Sequence, residues 1–167
     1  MANNRLAFQP AWIEAGTDDF NVTTLAFPGA LGAVWTKDGK TYQIVKTHAS
    51  TSAIAIGTPV GWQDFDDFVV TAEADDINRN LPAGVALDTV TAGNYCVIQV
   101  AGPHTAIICA NGSDAVAKDS LILGTTDGSV IRVAAGTAST YLPLAIATAT
   151  CSANAIAGVI VAPHNSW

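Results

Sequence analysis

Charged side chains are scarce in this chain, at 13% of its 167 residues. Cations are scarcer still: seven Lys and Arg stand against fourteen Asp and Glu, for a net charge of −7. Arg5, Lys37, Lys40, Lys46, Arg79, Lys118 and Arg132 form no dense patch. Nucleic-acid binding needs a concentrated basic footprint, and anionic membranes attract proteins by the same charge. Neither partner is expected. Cysteine is also sparse, with Cys96, Cys109 and Cys151 only. An odd number builds no closed disulfide set, and each lies in or beside an apolar, strand-like run. Buried, reduced thiols in a protein assembled in the cytosol are the expectation. None has metal-ligand spacing. Long apolar runs are missing too. The longest candidate, 142–162, is interrupted by Thr148, Thr150, Ser152 and Asn154, so it reads as strands and not as a membrane span. The opening MANNRLAFQP has neither an apolar core nor a cleavage signature, so no secretory signal is expected.

Catalytic signatures are absent as well. There is no Gly-x-Ser-x-Gly elbow, no P-loop and no dinucleotide fingerprint. His48, His104 and His164 are far apart, and none stands in a His-x-His or His-x-x-x-His pair. Surface or interface positions are expected for all three. Asp64, Asp66 and Asp67 lack the frame and closing Glu of a calcium loop. No metal, no cofactor and no enzymatic activity are expected. Trp12, Trp35, Trp62 and Trp167 leave a sugar-binding module open without supporting it.

What is present is strand and turn. LGAVWTKDGKTYQIVKT, residues 31–47, places two alternating runs around Asp38-Gly39, which supplies the positive φ angles of a tight hairpin. AIAIGTPVGWQ, 53–63, reads as short strands broken by Gly57, Pro59 and Gly61. Six of the fourteen acids then fall between Asp64 and Asp76, with no Lys or Arg from 47 to 78. This predicts an acidic face or loop, with Phe65, Phe68 and Val70 pointing inward. From 83 onward short strands are expected near 83–90, 94–101, 104–110, 119–123, 129–134, 144–150 and 155–162. Turns fall at Ala92-Gly93, Gly102-Pro103, Asn111-Gly112, Asp127-Gly128 and Ala135-Gly136. Such spacing fits a sandwich or barrel. At most one or two short helices are expected, near 72–78 and 113–119. A weak echo links AGVALDTVTAGNYCVIQVAGP with LAIATATCSANAIAGVIVAP. It reads as two similar hairpins in one barrel. Residues 1–30 show no period but carry Phe8, Trp12, Phe20 and Phe27, which reads as an extended arm whose aromatics dock onto something.

The ordered series LGAVWTKDGKTYQIVK, GTPVGW, AGVALDTVTAGNYCVIQVAGP, LILGTTDGSV and AGVIVAP resembles the capsid decoration, or cement, proteins of tailed bacteriophages. The resemblance covers about residues 31–162 and is one of strands and turns. It implies an all-β fold: a compact β-barrel or β-tulip-like domain at 31–167, preceded by the extended arm at 1–30. It implies a homotrimer on the outer capsid surface of the virion, clamping neighbouring major capsid proteins to stabilise the head after assembly in the host bacterial cytoplasm.

Within that reading, the arm is expected to carry capsid contact through Phe8, Trp12 and Phe20. Asp64, Asp66 and Asp67 either face basic capsid patches or keep the particle surface soluble. The C-terminal hairpin is expected to form the oligomer interface through Ile146, Ile156, Val159 and Val161. Alternation puts Val159 and Val161 on one face and Ile156 and Ile160 on the other, so one of these two faces is the candidate. A tail or fibre subunit, and a monomeric carbohydrate- or ligand-binding β-sandwich, are the other readings the sequence leaves open.

Overall fold

Asp38 (φ 51°) and Gly39 (φ 74°) both adopt left-handed backbone, the conformation a two-residue type I′ hairpin requires. They join strand β1 (Val34–Lys37) to β2 (Lys40–Thr47), with Lys37 opposite Lys40. The computed structural model describes residues 30–73, 81–109, 120–123, 128–133, 142–148 and 155–160. The N-terminal arm and both short helices expected from sequence lie outside the described residues, apart from Ala30, Ala72 and Glu73, which are not helical.

The remaining strands are β3 (Pro59–Asp64), β4 (Val69–Thr71), β5 (Pro82–Ala86), β6 (Tyr95–Ile108), β7 (Ser120–Leu123), β8 (Val130–Val133), β9 (Ala145–Ala147) and β10 (Ala155–Ile160). The all-β expectation holds, and no helix occurs among the described residues. β2, β4, β3, β5 and β6 pair in that order, and β6 returns to β2, closing a five-stranded barrel. Only β2 and β4 run parallel in it. Its interior holds Val45, Val60, Trp62, Val70, Ala86, Cys96, Ile98 and Val100, with Phe65, Phe68 and Leu81 packed against them.

Beyond Ala101, β6 leaves β2 and takes β10 as its partner, Gly102 lying opposite Ile160. β6, β10, β9, β7 and β8 continue the sheet. A parallel bridge from Cys109 to Val130 joins the end of β6 to β8. This second ring therefore has its own core of Ile107, Cys109, Leu121, Val130, Leu144, Ala145, Ala147 and Ile160.

The two rings have the same connectivity. The order β2, β3, β4, β5, β6 in the first becomes β6, β7, β8, β9, β10 in the second. Registers agree as well. Val60 faces Gly84 and Pro59 faces Val85 in the first; Leu121 faces Ala145 and Ser120 faces Ile146 in the second. Trp62 and Val70 correspond to Leu123 and Val130. Val85 with Gln99 corresponds to Ile146 with Val159. Gln43 with Ile98 corresponds to His104 with Gly158. The parallel pair Thr47 and Val70 corresponds to Cys109 and Val130. Strands β2 and β3 are separated by residues 48–58, and β6 and β7 by 109–119, eleven residues in each case. The molecule is a tandem pair of one strand plan, with β6 closing the first copy and opening the second.

Two sequence expectations change here. The strands foreseen at 94–101 and 104–110 are a single 14-residue strand, and Gly102-Pro103 is a kink inside it and not a turn. Gly102 has φ +94°, and a Cβ there would lie 2.4 Å from the Gly39 carbonyl oxygen. Only glycine allows both the conformation and the approach. Pro103, which has no N–H to give a ladder, falls where β6 changes partner. The echoing hairpins, read as two similar hairpins in one barrel, are β5–β6 and β9–β10: equivalent hairpins of successive rings.

Candidate functional site

Asp64 ends β3, and residues 65–68 turn the chain into β4. The Asp64 Oδ1 accepts the backbone N–H groups of Asp66 (3.1 Å) and Asp67 (3.2 Å). This side-chain-to-backbone bonding is what favours Asp at turns. Phe68 leaves the turn at φ 55°, and its ring packs over Gly32, where a Cβ would come within 2.5 Å of it. Phe65 and Phe68 meet the buried Trp62 edge-on, at 5.2 and 6.4 Å between ring centroids. The acidic turn is thus exposed and anchored by aromatics. Asp64, Asp66 and Asp67 are all exposed, and among the described residues no group of three or more His, Cys, Asp or Glu side chains could hold a metal ion.

The β9–β10 hairpin pairs Ile146 with Val159, Ala147 with Gly158 and Ala145 with Ile160. Ala145, Ala147 and Ile160 are at most 1% exposed and belong to the second ring's core, whereas Ile146 is 45% exposed. The Ile160 side of the hairpin is therefore internal. Ile146, paired in register with Val159, lies on the other side. Ile156 pairs with Ile107, and the β10–β6 register shifts between Ile156 and Gly158. Val161, Phe8, Trp12 and Phe20 lie outside the described residues.

Leu142, 46% exposed, lies just before β9. It was missed because a single Leu beside a Pro in an apolar stretch carries no periodic signal. Exposed Val34 and Ile56 belong to the first barrel's side of the molecule.

The remaining reactive side chains are dispersed. Cys96 is buried in the first barrel, and desolvation, aided by the nearby Asp88 charge, pushes its thiol up to about 12. Such a thiol is inert as a nucleophile at neutral pH. Cys109 is buried in the second core, where its thiol donates to the Ile107 carbonyl at 3.5 Å. His104 accepts the Ala106 backbone N–H at Nδ1, 3.2 Å away. Its pKa is lowered, chiefly by burial and then by Lys40. His48 bonds the Ser50 hydroxyl at 2.8 Å. Trp62 is 1% exposed, and Trp35 stacks on Tyr42 at 5.5 Å. Trp62 is thereby a core residue, unavailable as part of a sugar-binding platform.

No known family model matches the chain. No curated protein matches it either. Among solved structures it is similar to the head fibre gp8.5 N base of bacteriophage phi29, with 17% sequence identity and a TM-score of 0.48, over 77% of this chain and 99% of that chain.

Proposed function

We propose that this chain is a structural protein of a phage virion that acts by adhesion and not by catalysis. It seats as a homotrimer on the outer capsid surface and clamps neighbouring major capsid proteins. The observation that carries the reading is the contrast between inside and outside in the second ring. A core of Ile107, Leu121, Leu144 and Ile160 lies beneath Leu142 and Ile146, which stay 46% and 45% exposed, and this exposed apolar surface is offered to a protein partner. The ordered strand-and-turn resemblance to decoration proteins agrees with it. In this reading Phe8, Trp12 and Phe20 of the arm reach the capsid, the exposed turn at Asp64, Asp66 and Asp67 meets basic capsid groups, and the face of Ile146, Val159 and Val161, opposite that of Ile156 and Ile160, serves self-association. Modest contacts repeated over many symmetric copies reinforce a shell by multivalency.

The test is to mix the purified protein with expanded, undecorated heads of the phage that encodes it and sediment them. Saturable co-sedimentation, with gold-labelled protein distributed over the head in electron micrographs, is the expected result. Label confined to the tail or to sparse fibres would replace this reading with that of a fibre subunit. No association with any particle would overturn it.

A further inference from the structure

Strand alternation gives the first barrel an outer face as well as a core. Val45, Cys96 and Ile98 belong to the barrel interior, so Ile44 and Val97, which pair with each other in register, point away from it. They form a separate cluster with Ala30, bordered by the partly buried Trp35, Tyr42 and Leu87. Ile44 and Val97 are nevertheless only 2% and 3% exposed, so this outer face is covered and not solvated. The cover begins with Ala30, itself 8% exposed. In residues 30–33 the Ala33 N–H donates to the Ala30 carbonyl at 2.9 Å and Gly32 takes φ +81°, the pattern of a type II turn. The Gly32 N–H donates to the Ile44 carbonyl at 2.8 Å and ties that turn to β2. The incoming chain therefore arrives over the outer face of the barrel. At the border of the same face the Trp35 indole N–H is buried with no hydrogen-bond acceptor among the described residues, and buried donors nearly always have one.

We propose that the segment just before Ala30, LAFPG at 25–29, lies across this face of its own chain with Phe27 as its anchor. Phe27 is three residues from Ala30, and three residues reach at most about 10 Å. Leu87, just after β5, donates its N–H to the Val97 carbonyl at 3.2 Å. From β2 across β6 to Leu87 is two strand spacings, about 9.5 Å. A Phe27 ring held by Ala30 at one end thus covers Val97 and meets Leu87. The main-chain carbonyls of the segment supply the acceptor that the Trp35 N–H needs. The arm then has two parts. Phe27 docks within the chain and fixes where the arm leaves the barrel, and Phe8, Trp12 and Phe20 are left for contact outside it. This goes beyond the capsid reading and does not depend on it.

The test is nuclear magnetic resonance on the full chain, with labelled Phe rings and labelled Ile, Leu and Val methyls. Nuclear Overhauser contacts from the Phe27 ring, assigned by the loss of its signals in Phe27→Leu, to the methyls of Val97 or Leu87 are the expected result. Their absence would overturn the proposal. In a co-refolded mixture of chains labelled only in Phe with chains labelled only at methyls, the contacts are expected to vanish. Contacts that persist in the mixture would give the face to the arm of a neighbouring copy and overturn the placement within one chain. Urea melts supply a second readout. Phe27→Ala is expected to lower the midpoint and Phe20→Ala to leave it unchanged. In a Leu87→Ala background the Phe27→Ala effect is expected to fall by at least half, since the effects of residues in contact do not add. An undiminished effect in that background would overturn the contact. None of these readouts involves a capsid, so a failure of capsid binding counts against the function proposed above and not against this docking.

Discussion

The first ring and the second use one strand plan but fill it differently. The first is packed around large side chains. Trp62 is 1% exposed and Ile98 fully buried, with Phe65 and Phe68 closing over Trp62. At the positions equivalent to Trp62 and Ile98 the second ring has Leu123 and Gly158. There a Cβ on Gly158 would sit 3.0 Å from the Ile146 carbonyl oxygen and 3.3 Å from Ile107, so the strands themselves approach where side chains fill the first ring. The turn from the third to the fourth strand of each plan differs in the same sense. Phe68 (φ 55°) and Gly128 (φ 64°) hold one left-handed conformation. The first ring accepts the cost of a non-glycine residue there because the Phe68 ring covers its core. The second makes the bend with glycine. Equivalent backbones can thus be held by bulk in one place and by close approach in another.

The largest expected effect breaks the first ring at its centre. Trp62→Ala should destabilise by about 3–5 kcal/mol, through lost burial and a residual cavity. Leu121→Ala, in the second core, should cost about 2–5 kcal/mol. Denaturant melts followed by tryptophan fluorescence and circular dichroism should show one transition for each variant, because β6 belongs to both rings. Two separated transitions for Leu121→Ala would mean that the rings unfold independently.

Gly102→Ala attacks the hand-over itself. Left-handed backbone costs a non-glycine residue about 1–2 kcal/mol, and the added methyl would press on the Gly39 carbonyl. A loss above about 2 kcal/mol, by the same melts, is expected from conformation and clash together. At the turns, Gly128→Ala should cost about 1–2 kcal/mol for its φ alone. Phe68→Gly should also destabilise, although it relieves the backbone, because it uncovers Trp62. A stabilised Phe68→Gly would show that the two turns are governed by φ only.

Titration should sharpen the comparison more gently. Cys96 has its thiol raised from 9.0 to about 12. The folded form then keeps a proton that the unfolded chain releases, so stability should fall as pH rises from 9 towards 12. Cys96→Ala should flatten that limb. His104 at the hand-over has a lowered pKa, from burial first and Lys40 second. The unfolded chain binds its proton more readily, so stability should decline slightly as pH falls through about 6.5. His104→Gln should remove that shallow slope in melts taken across the range. The smallest effect belongs to the acidic turn. Asp64→Ala loses two exposed hydrogen bonds and should cost about 0.5–1.5 kcal/mol, while Asp66→Asn and Asp67→Asn should leave the melting temperature unchanged.

The sequence by itself determined the all-β class, the Asp38-Gly39 hairpin, the inward placing of Phe65, Phe68 and Val70, the acidic turn and the burial of Cys96 and Cys109. Each follows from local chemistry: period-two alternation, left-handed turn residues, and side chains too apolar or too charged to sit elsewhere. Even the echo between 83–103 and 144–163 was legible, because small residues and strand alternation persist in equivalent hairpins. Only the tertiary structure decided that these hairpins close successive rings, that one strand runs through Gly102-Pro103, and that the Ile160 side of the last hairpin faces inward while Ile146 faces out. Pairing partners are chosen by long-range register, and one register accommodates Trp62 or Leu123, Ile98 or Gly158, provided that the backbones adjust their distance. Residue identity therefore differs between the rings while the plan of hydrogen bonds is the same.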